Sequence, residues 1–133
     1  MLVFLITVST DIGAYIFGKV IGGAKIVPSI SPNKTWAGFF GGIVFTLIVG
    51  SFVFDIQQNQ ILSFFFFLAA SITSQFGDII ESAFKRKVNI KDSGNLIPGH
   101  GGILDRLDSF FTITFFVMLL YFLNFDFLSF FVL

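Results

Sequence analysis

The chain of 133 residues is 55% hydrophobic, contains 22 phenylalanines and is only 12% charged, against about 25% charged residues in an average soluble domain. That is the composition of a membrane protein. Eight basic and eight acidic residues cancel, and the basic ones are segregated by loop rather than spread as one stripe, which argues against nucleic-acid binding; the absence of cysteine excludes a disulfide framework and a thiolate ligand or nucleophile, so any metal must use oxygen ligands or His100.

Spanning a bilayer takes roughly 20 mostly apolar helical residues, and four stretches qualify. The first runs from Met1 to about Val20 and carries Ser9, Thr10 and Asp11 at its middle. A cleaved signal peptide is a poor description of it, because no basic residue precedes the apolar run and Asp11 interrupts it. A carboxylate at bilayer depth is costly and by default faces a bundle interior or a wet cavity. Residues 18–35 then form a loop with Lys19, Lys25 and Lys34, ending in Ser31-Pro32-Asn33-Lys34-Thr35-Trp36. Its proline, serine and asparagine end one helix and start the next, with Asn33 or Thr35 as candidate cap and Trp36 at the interface.

The second predicted span runs from Trp36 to about Phe54, and its Gly38 and Gly42 make a G-x-x-x-G spacing that permits close approach of another helix. A connection without lysine or arginine follows, Asp55 to Gln60. The third span, Ile61 to about Ile80, is lipid-like in its first half and polar in its second, with Ser71, Thr73, Ser74, Gln75 and Asp78. Continued as a helix, it places Asp78, Glu81, Ser82 and Lys85 on one face. The fourth span runs from Ser109 through Phe125.

Between the third and fourth spans lies the polar stretch Ser82 to Asp108, with Lys85, Arg86, Lys87, Lys91 and Arg106, the acids Asp92, Asp105 and Asp108, and the single histidine, His100. Pro98 to Gly102 form a tight turn before a helix start, where backbone N–H groups and the helix dipole favour an anion such as phosphate. Asp105 and Asp108, at i and i+3, project to one side; they are either dipole-favourable acids at a helix start or oxygen ligands for a hard divalent cation. All eight basic residues fall in the loops at 18–35 and 81–108, and four spans put both loops on one side, which the positive-inside rule makes cytoplasmic. The expected fold is therefore all-α: a single integral membrane domain over residues 1–133, with about four transmembrane helices and two cytoplasmic polar loops.

The run Ser82, Lys85, Arg86, Lys91, Asp92, Gly94, Pro98-Gly99-His100-Gly101-Gly102 and Asp105-Arg106-Leu107-Asp108 resembles the signature of the phosphatidate cytidylyltransferases, the membrane enzymes also called CDP-diacylglycerol synthases. Asp11-x-x-Ala14-Tyr15, Gly18 and the segment Ser31 to Trp36 are similar to the same family's upstream block. The resemblance implies transfer of CMP from CTP to phosphatidate in a bacterial cytoplasmic membrane, with the site facing the cytoplasm. It implies magnesium on Asp78, Asp105 and Asp108, leaving open whether a monovalent cation accompanies it, and a catalytic set of Asp78, Lys85, Asp105 and Asp108. Phosphate contacts would come from Ser31, Lys34, Ser82, Lys85, Arg86, Lys91, Arg106 and the turn at Gly99, Gly101 and Gly102. Asp92 and Asn95 are candidates for nucleotide contacts, His100 for phosphate or for bracing its loop, and Asp11 for supporting the polar cavity.

Two rival functions stand beside this one: a related lipid nucleotidyltransferase or polyprenol kinase, and a non-enzymatic transporter or channel fragment whose Asp11 and Asp78 line an ion path. Family members are usually considerably longer, with additional spans before the block that begins near Asp11. The chain is thus expected to be a carboxy-terminal catalytic half that needs further helices, from an amino-terminal half or from a second copy docking through Gly38 and Gly42.

Overall fold

A computed structural model describes residues 2–53, 60–87 and 104–123, and at 53, 60 and 104–109 the backbone path alone. The element order is α1 (Leu2–Val20), β1 (Lys25–Val27), β2 (Ser31–Thr35), α2 (Trp36–Val53), α3 (Gln60–Lys87) and α4 (Leu104–Phe122). The helices coincide with the four apolar runs. Two of them, Leu2–Val20 and Ile61–Lys87, are long and apolar enough to cross a membrane, whereas the apolar stretches Trp36–Phe52 and Phe110–Phe122 are shorter.

The 28 residues of α3 span about 42 Å at 1.5 Å per residue, beyond the roughly 30 Å of a hydrocarbon core. Its last two turns therefore extend past the apolar run. They hold Glu81 and the basic Lys85, Arg86 and Lys87 in the final turn, where positive charge complements the helix dipole.

The helical expectation holds for the body of the fold, and the first polar loop adds to it a small element that was not expected. Instead of a plain turn it forms a two-stranded antiparallel hairpin, Lys25 opposite Thr35 and Val27 opposite Ser31, with a register irregularity between these pairs. At its tip Ile30 N–H donates to the Val27 carbonyl at 3.1 Å, and at its base Trp36 N–H donates to that of Ala24 at 3.1 Å. Helix α1 reaches it through Gly22 and Gly23, both at positive φ (64° and 92°). Gly22 N–H donates to the Gly18 carbonyl at 3.1 Å, a left-handed termination that a β-carbon would strain.

Helices α1 and α2 approach closely through glycine. A β-carbon at Gly38 would meet the Ala14 carbonyl oxygen at 2.8 Å, and one at Gly42 would meet that of Thr10 at 2.9 Å. The G-x-x-x-G spacing is thus a packing device, as expected. Its partner is α1 of the same chain, so that face is not open to a second copy.

Polarity is arranged inside out. Among the described residues the buried side chains comprise nine polar ones and seven hydrophobic ones, while large apolar side chains such as Phe52 (85% exposed) and Phe115 (70% exposed) face outward. Exposed apolar surface on this scale marks contact with a membrane or with other protein rather than with water, and the two membrane-length helices favour the membrane. At the centre, the Thr10 hydroxyl donates to the Ile6 carbonyl at 2.8 Å, lies 2.8 Å from the Thr46 hydroxyl and 3.4 Å from that of Ser71. Three helices are tied there by hydroxyls, as membrane bundles tie theirs. A smaller apolar cluster of Leu2, Ile6, Phe66, Phe67, Ala70 and Ile113 joins α1, α3 and α4.

Candidate active site

A cavity of about 240 Å³ opens where α1, the hairpin, α2 and α3 meet. Helix α1 contributes Asp11, Ala14 and Tyr15; the hairpin contributes Ile26, Ser31, Asn33, Lys34 and Thr35. Gly38 and Phe39 of α2 and Gln75, Asp78 and Ile79 of α3 complete the wall. Four residues singled out from the sequence, Asp11, Ser31, Lys34 and Asp78, thus converge from segments up to 67 positions apart.

Local chemistry sets each of them in place. The Thr35 hydroxyl accepts from Gly38 N–H at 3.1 Å, an N-cap that fixes where α2 begins and hence where the preceding Lys34 projects. Of the two candidate caps, Thr35 fills the role. The Gln75 amide donates to the Phe39 carbonyl at 3.1 Å, joining α3 to α2 one turn before Asp78. Across the cavity Lys34 Nζ lies 3.2 Å from Asp78 Oδ2, with the two side chains 29% and 22% exposed. Beyond it, Glu81 and Lys85 form an i, i+4 ion pair, so the expected face of Asp78, Glu81, Ser82 and Lys85 exists as one helical edge. Arg86 Nε donates to the Ile30 carbonyl at 3.3 Å, which tethers the hairpin tip to the end of α3.

Lys85, Ser82 and Arg86 continue the same edge but do not line the cavity. Asp105, Arg106 and Asp108 lie on the first turns of α4, and their side chains fall outside the described residues, as do Lys91, Asp92, Asn95, Gly99, His100, Gly101 and Gly102 altogether. The backbone nevertheless gives the level of the two acids. Helix α4 lies against α3 with Thr112 over Gly77, where a β-carbon would meet the Thr112 side chain at 2.7 Å. Ile113 joins the cluster of Phe66, Phe67 and Ala70, earlier on α3, so the helices run antiparallel. Residues before Thr112 therefore sit beside residues after Gly77, which puts the start of α4 level with the polar end of α3.

Tyr15, Asn33 and Thr35 line the cavity without having been assigned to it, whereas Gln75 reaches it as part of the polar second half of the third span, which the sequence turns toward a cavity together with Asp78.

The family model described as the cytidylyltransferase family matches residues 1–124. The chain belongs to that family. The phosphatidate cytidylyltransferases of Staphylococcus epidermidis and Staphylococcus aureus are each 50% identical to it over 110 residues, and that of Staphylococcus haemolyticus is 51% identical over 110 residues. Each alignment covers 80% of this chain and 42% of the relative, so the chain spans less than half the length of these cytidylyltransferases.

Proposed function

We propose that this chain carries the catalytic residues of a phosphatidate cytidylyltransferase, which joins CTP and phosphatidate to give CDP-diacylglycerol and pyrophosphate. The observation that supports the reading best is the convergence of Asp11, Ser31, Lys34 and Asp78 on one cavity at the polar end of an apolar bundle. Both substrates are anions, so a site for them needs cationic groups that position phosphates and compensate charge at the reacting phosphorus. Lys34 lies in the cavity, and Lys85 and Arg86 lie along the adjoining edge of α3. The lipid phosphate oxygen is already ionised near neutral pH; it attacks the α-phosphorus of CTP, the bond to the β-phosphate oxygen breaks, and pyrophosphate leaves with that electron pair. No general base is required.

The carboxylates of Asp11 and Asp78, set in an otherwise largely apolar wall, suit magnesium, a hard cation commonly held by one or two carboxylates together with substrate phosphates. Lys34 already occupies a position from which a cation satisfies Asp78, which supports a cation site at that carboxylate. Among the described residues no three acidic or histidine side chains cluster, so Asp78 would share the ion with Asp105 and Asp108 of α4. Bound there, magnesium would offset charge on the triphosphate. A place for Asp92, Asn95, His100 and the glycine turn around the nucleotide belongs to the same proposal, as does a cytoplasmic orientation in a bacterial membrane.

The same proposal includes further helices around the bundle, supplied by an amino-terminal half of the protein; the greater length of the relatives supports it. The deciding experiment measures CTP-dependent formation of CDP-diacylglycerol in membranes holding this chain together with an amino-terminal half from a relative. Asp78→Asn, Asp105→Asn and Asp108→Asn should each abolish turnover with membrane insertion unchanged, and Asp126→Asn should not. Near-normal turnover by the first three would remove these carboxylates from the mechanism.

A further inference from the structure

Phe39 belongs to two surfaces at once. It lines the polar cavity, and its ring meets that of Phe76 edge to face, centroids 6.2 Å apart, across the seam between α2 and α3. Phe76 lies on the outside, 51% exposed. On its other flank the Phe39 ring pairs with those of Trp36 and Phe40, at 5.9 and 5.7 Å, both of them exposed. We infer that this aromatic seam is where the acyl chains of the lipid substrate leave the cavity, with the phosphate held inside near Lys34, an inference that rests on the reading of the cavity as the site of cytidylyl transfer.

Size puts the chains outside. The cavity encloses about 240 Å³, below the roughly 300 to 1,000 Å³ of sites that hold a drug-sized molecule, so two acyl chains do not fit in it beside a phosphate. They must cross a wall, and the walls differ. Gly38 packs against the Ala14 carbonyl, which closes α1 onto α2. The Lys34 to Asp78 contact at 3.2 Å and the Arg86 bond to the Ile30 carbonyl at 3.3 Å join the hairpin to α3. Among the described residues two sides then meet the apolar exterior, that of Asp11 and Tyr15 on α1 and the seam between α2 and α3.

Chemistry decides between these two. On the α1 side a chain would lie against the Asp11 carboxylate and the Tyr15 hydroxyl, which accepts from Lys19 Nζ at 3.3 Å, and charge against hydrocarbon is costly. At the seam it meets aromatic rings and, one turn deeper, Val44 of α2 and Ile72 of α3. The order along the chain also suits a phospholipid. Lys34 stands at the phosphate, Trp36 follows at the level of the membrane interface, where its ring is favoured, and Phe39 and Phe40 come one turn into α2. The Gln75 amide, donating to the Phe39 carbonyl at 3.1 Å, fixes the seam from the residue before Phe76.

Benzoylphenylalanine in place of Phe76, Tyr15 or Phe52 reads out which surface the lipid occupies. The chain, co-expressed with an amino-terminal half from a relative, is placed in phosphatidylcholine nanodiscs containing a small share of radiolabelled phosphatidate. The probe at Phe76 should capture phosphatidate well above its share of the lipid, while the probe at Phe52, exposed at the far end of α2, should capture it in proportion to that share. The excess should fall in Lys34→Gln, because a phosphate seated in the cavity is what holds the chains at the seam. Phe76→Ala should raise KM for phosphatidate about tenfold, the low end of what a lost apolar contact contributes to discrimination, with KM for CTP changing far less. An excess at Tyr15 in place of Phe76, no excess at either, an excess unchanged by Lys34→Gln, or equal rises in both KM values would overturn the inference while CDP-diacylglycerol still forms. Failure of the unsubstituted protein to form CDP-diacylglycerol would overturn the cytidylyltransferase reading and the inference with it.

Discussion

Replacing Gly13 by alanine tests whether backbone contact between α1 and α2 holds the site together. A β-carbon there would lie 2.5 Å from Phe45 Cβ, 2.7 Å from the Gly41 carbonyl oxygen and 3.0 Å from Gly42 Cα. Because these atoms belong to the body of α2, relief requires that helix to move outward by nearly 1 Å, a gap that forfeits a quarter to a half of each dispersion contact across the seam. Overpacking of this kind costs about 1 to 3 kcal/mol, while alanine returns about 1 kcal/mol of helix propensity. Gly50→Ala serves as the reference: it gains the same propensity, but the atoms nearest its β-carbon are those of the Phe67 ring, at 3.0 Å, half an ångström farther than the nearest atom at Gly13 and not backbone. The difference between the two variants therefore isolates the backbone clash. Unfolding in mixed micelles with increasing SDS, followed by far-UV circular dichroism, should show Gly13→Ala less stable than Gly50→Ala by about 1 to 3 kcal/mol. Equal stability would mean that α1 and α2 do not approach in this way.

Thr35→Ala should cost about 1 kcal/mol in the same assay by removing the cap on α2, and Thr35→Ser should recover most of it. Single cysteines at Lys25 and Asn89, introduced into a chain that has none of its own, should react with a membrane-impermeant maleimide only from the cytoplasmic side, and one at Gln58 only from outside. Labelling of all three from one side would refute the proposed topology.

The helices were legible because apolar length is a strong constraint in a membrane, and the extension of α3 beyond Ile80 followed from the common face of Asp78, Glu81 and Lys85. The hairpin was not legible. Pro28, Ser29, Pro32 and Asn33 read as turn residues, and only three residues, Lys25 to Val27, make the first strand; the pairing comes from tertiary placement of Thr35 and Trp36 at the head of α2. Likewise Gly38 and Gly42 announced a close partner but not which one. The answer lay in Gly13 and Gly18 of α1, whose small size matters only once the two helices are known to face each other. Asp11 was marked as anomalous by its apolar surroundings, yet nothing in its local pattern pointed to Lys34 or Asp78, because a cavity between four elements is a property of their packing.

One stripe of α1 carries the proposal of additional helices furthest. Phe4, Val8, Asp11 and Tyr15 follow the i, i+4, i+7, i+11 spacing of a single face, and all four are exposed. Lipid against that face would bring a carboxylate midway along a membrane-length helix into contact with hydrocarbon, at a cost of about 2.5 to 3.5 kcal/mol or more. A covering helix would remove that cost and close the α1 side of the cavity. The corresponding faces of α2 and α4, around Phe40, Val44 and Ile48 and around Phe111, Phe115 and Met118, carry only apolar side chains and the hydroxyls of Ser51 and Thr114, each of which donates to a carbonyl of its own helix, and need no such cover. A photo-crosslinking residue at Val8 should therefore capture a co-expressed amino-terminal half from a relative, while one at Phe115 should capture lipid. Capture of lipid alone from Val8 would show that α1 faces the bilayer and that Asp11 is sheltered by the cavity itself.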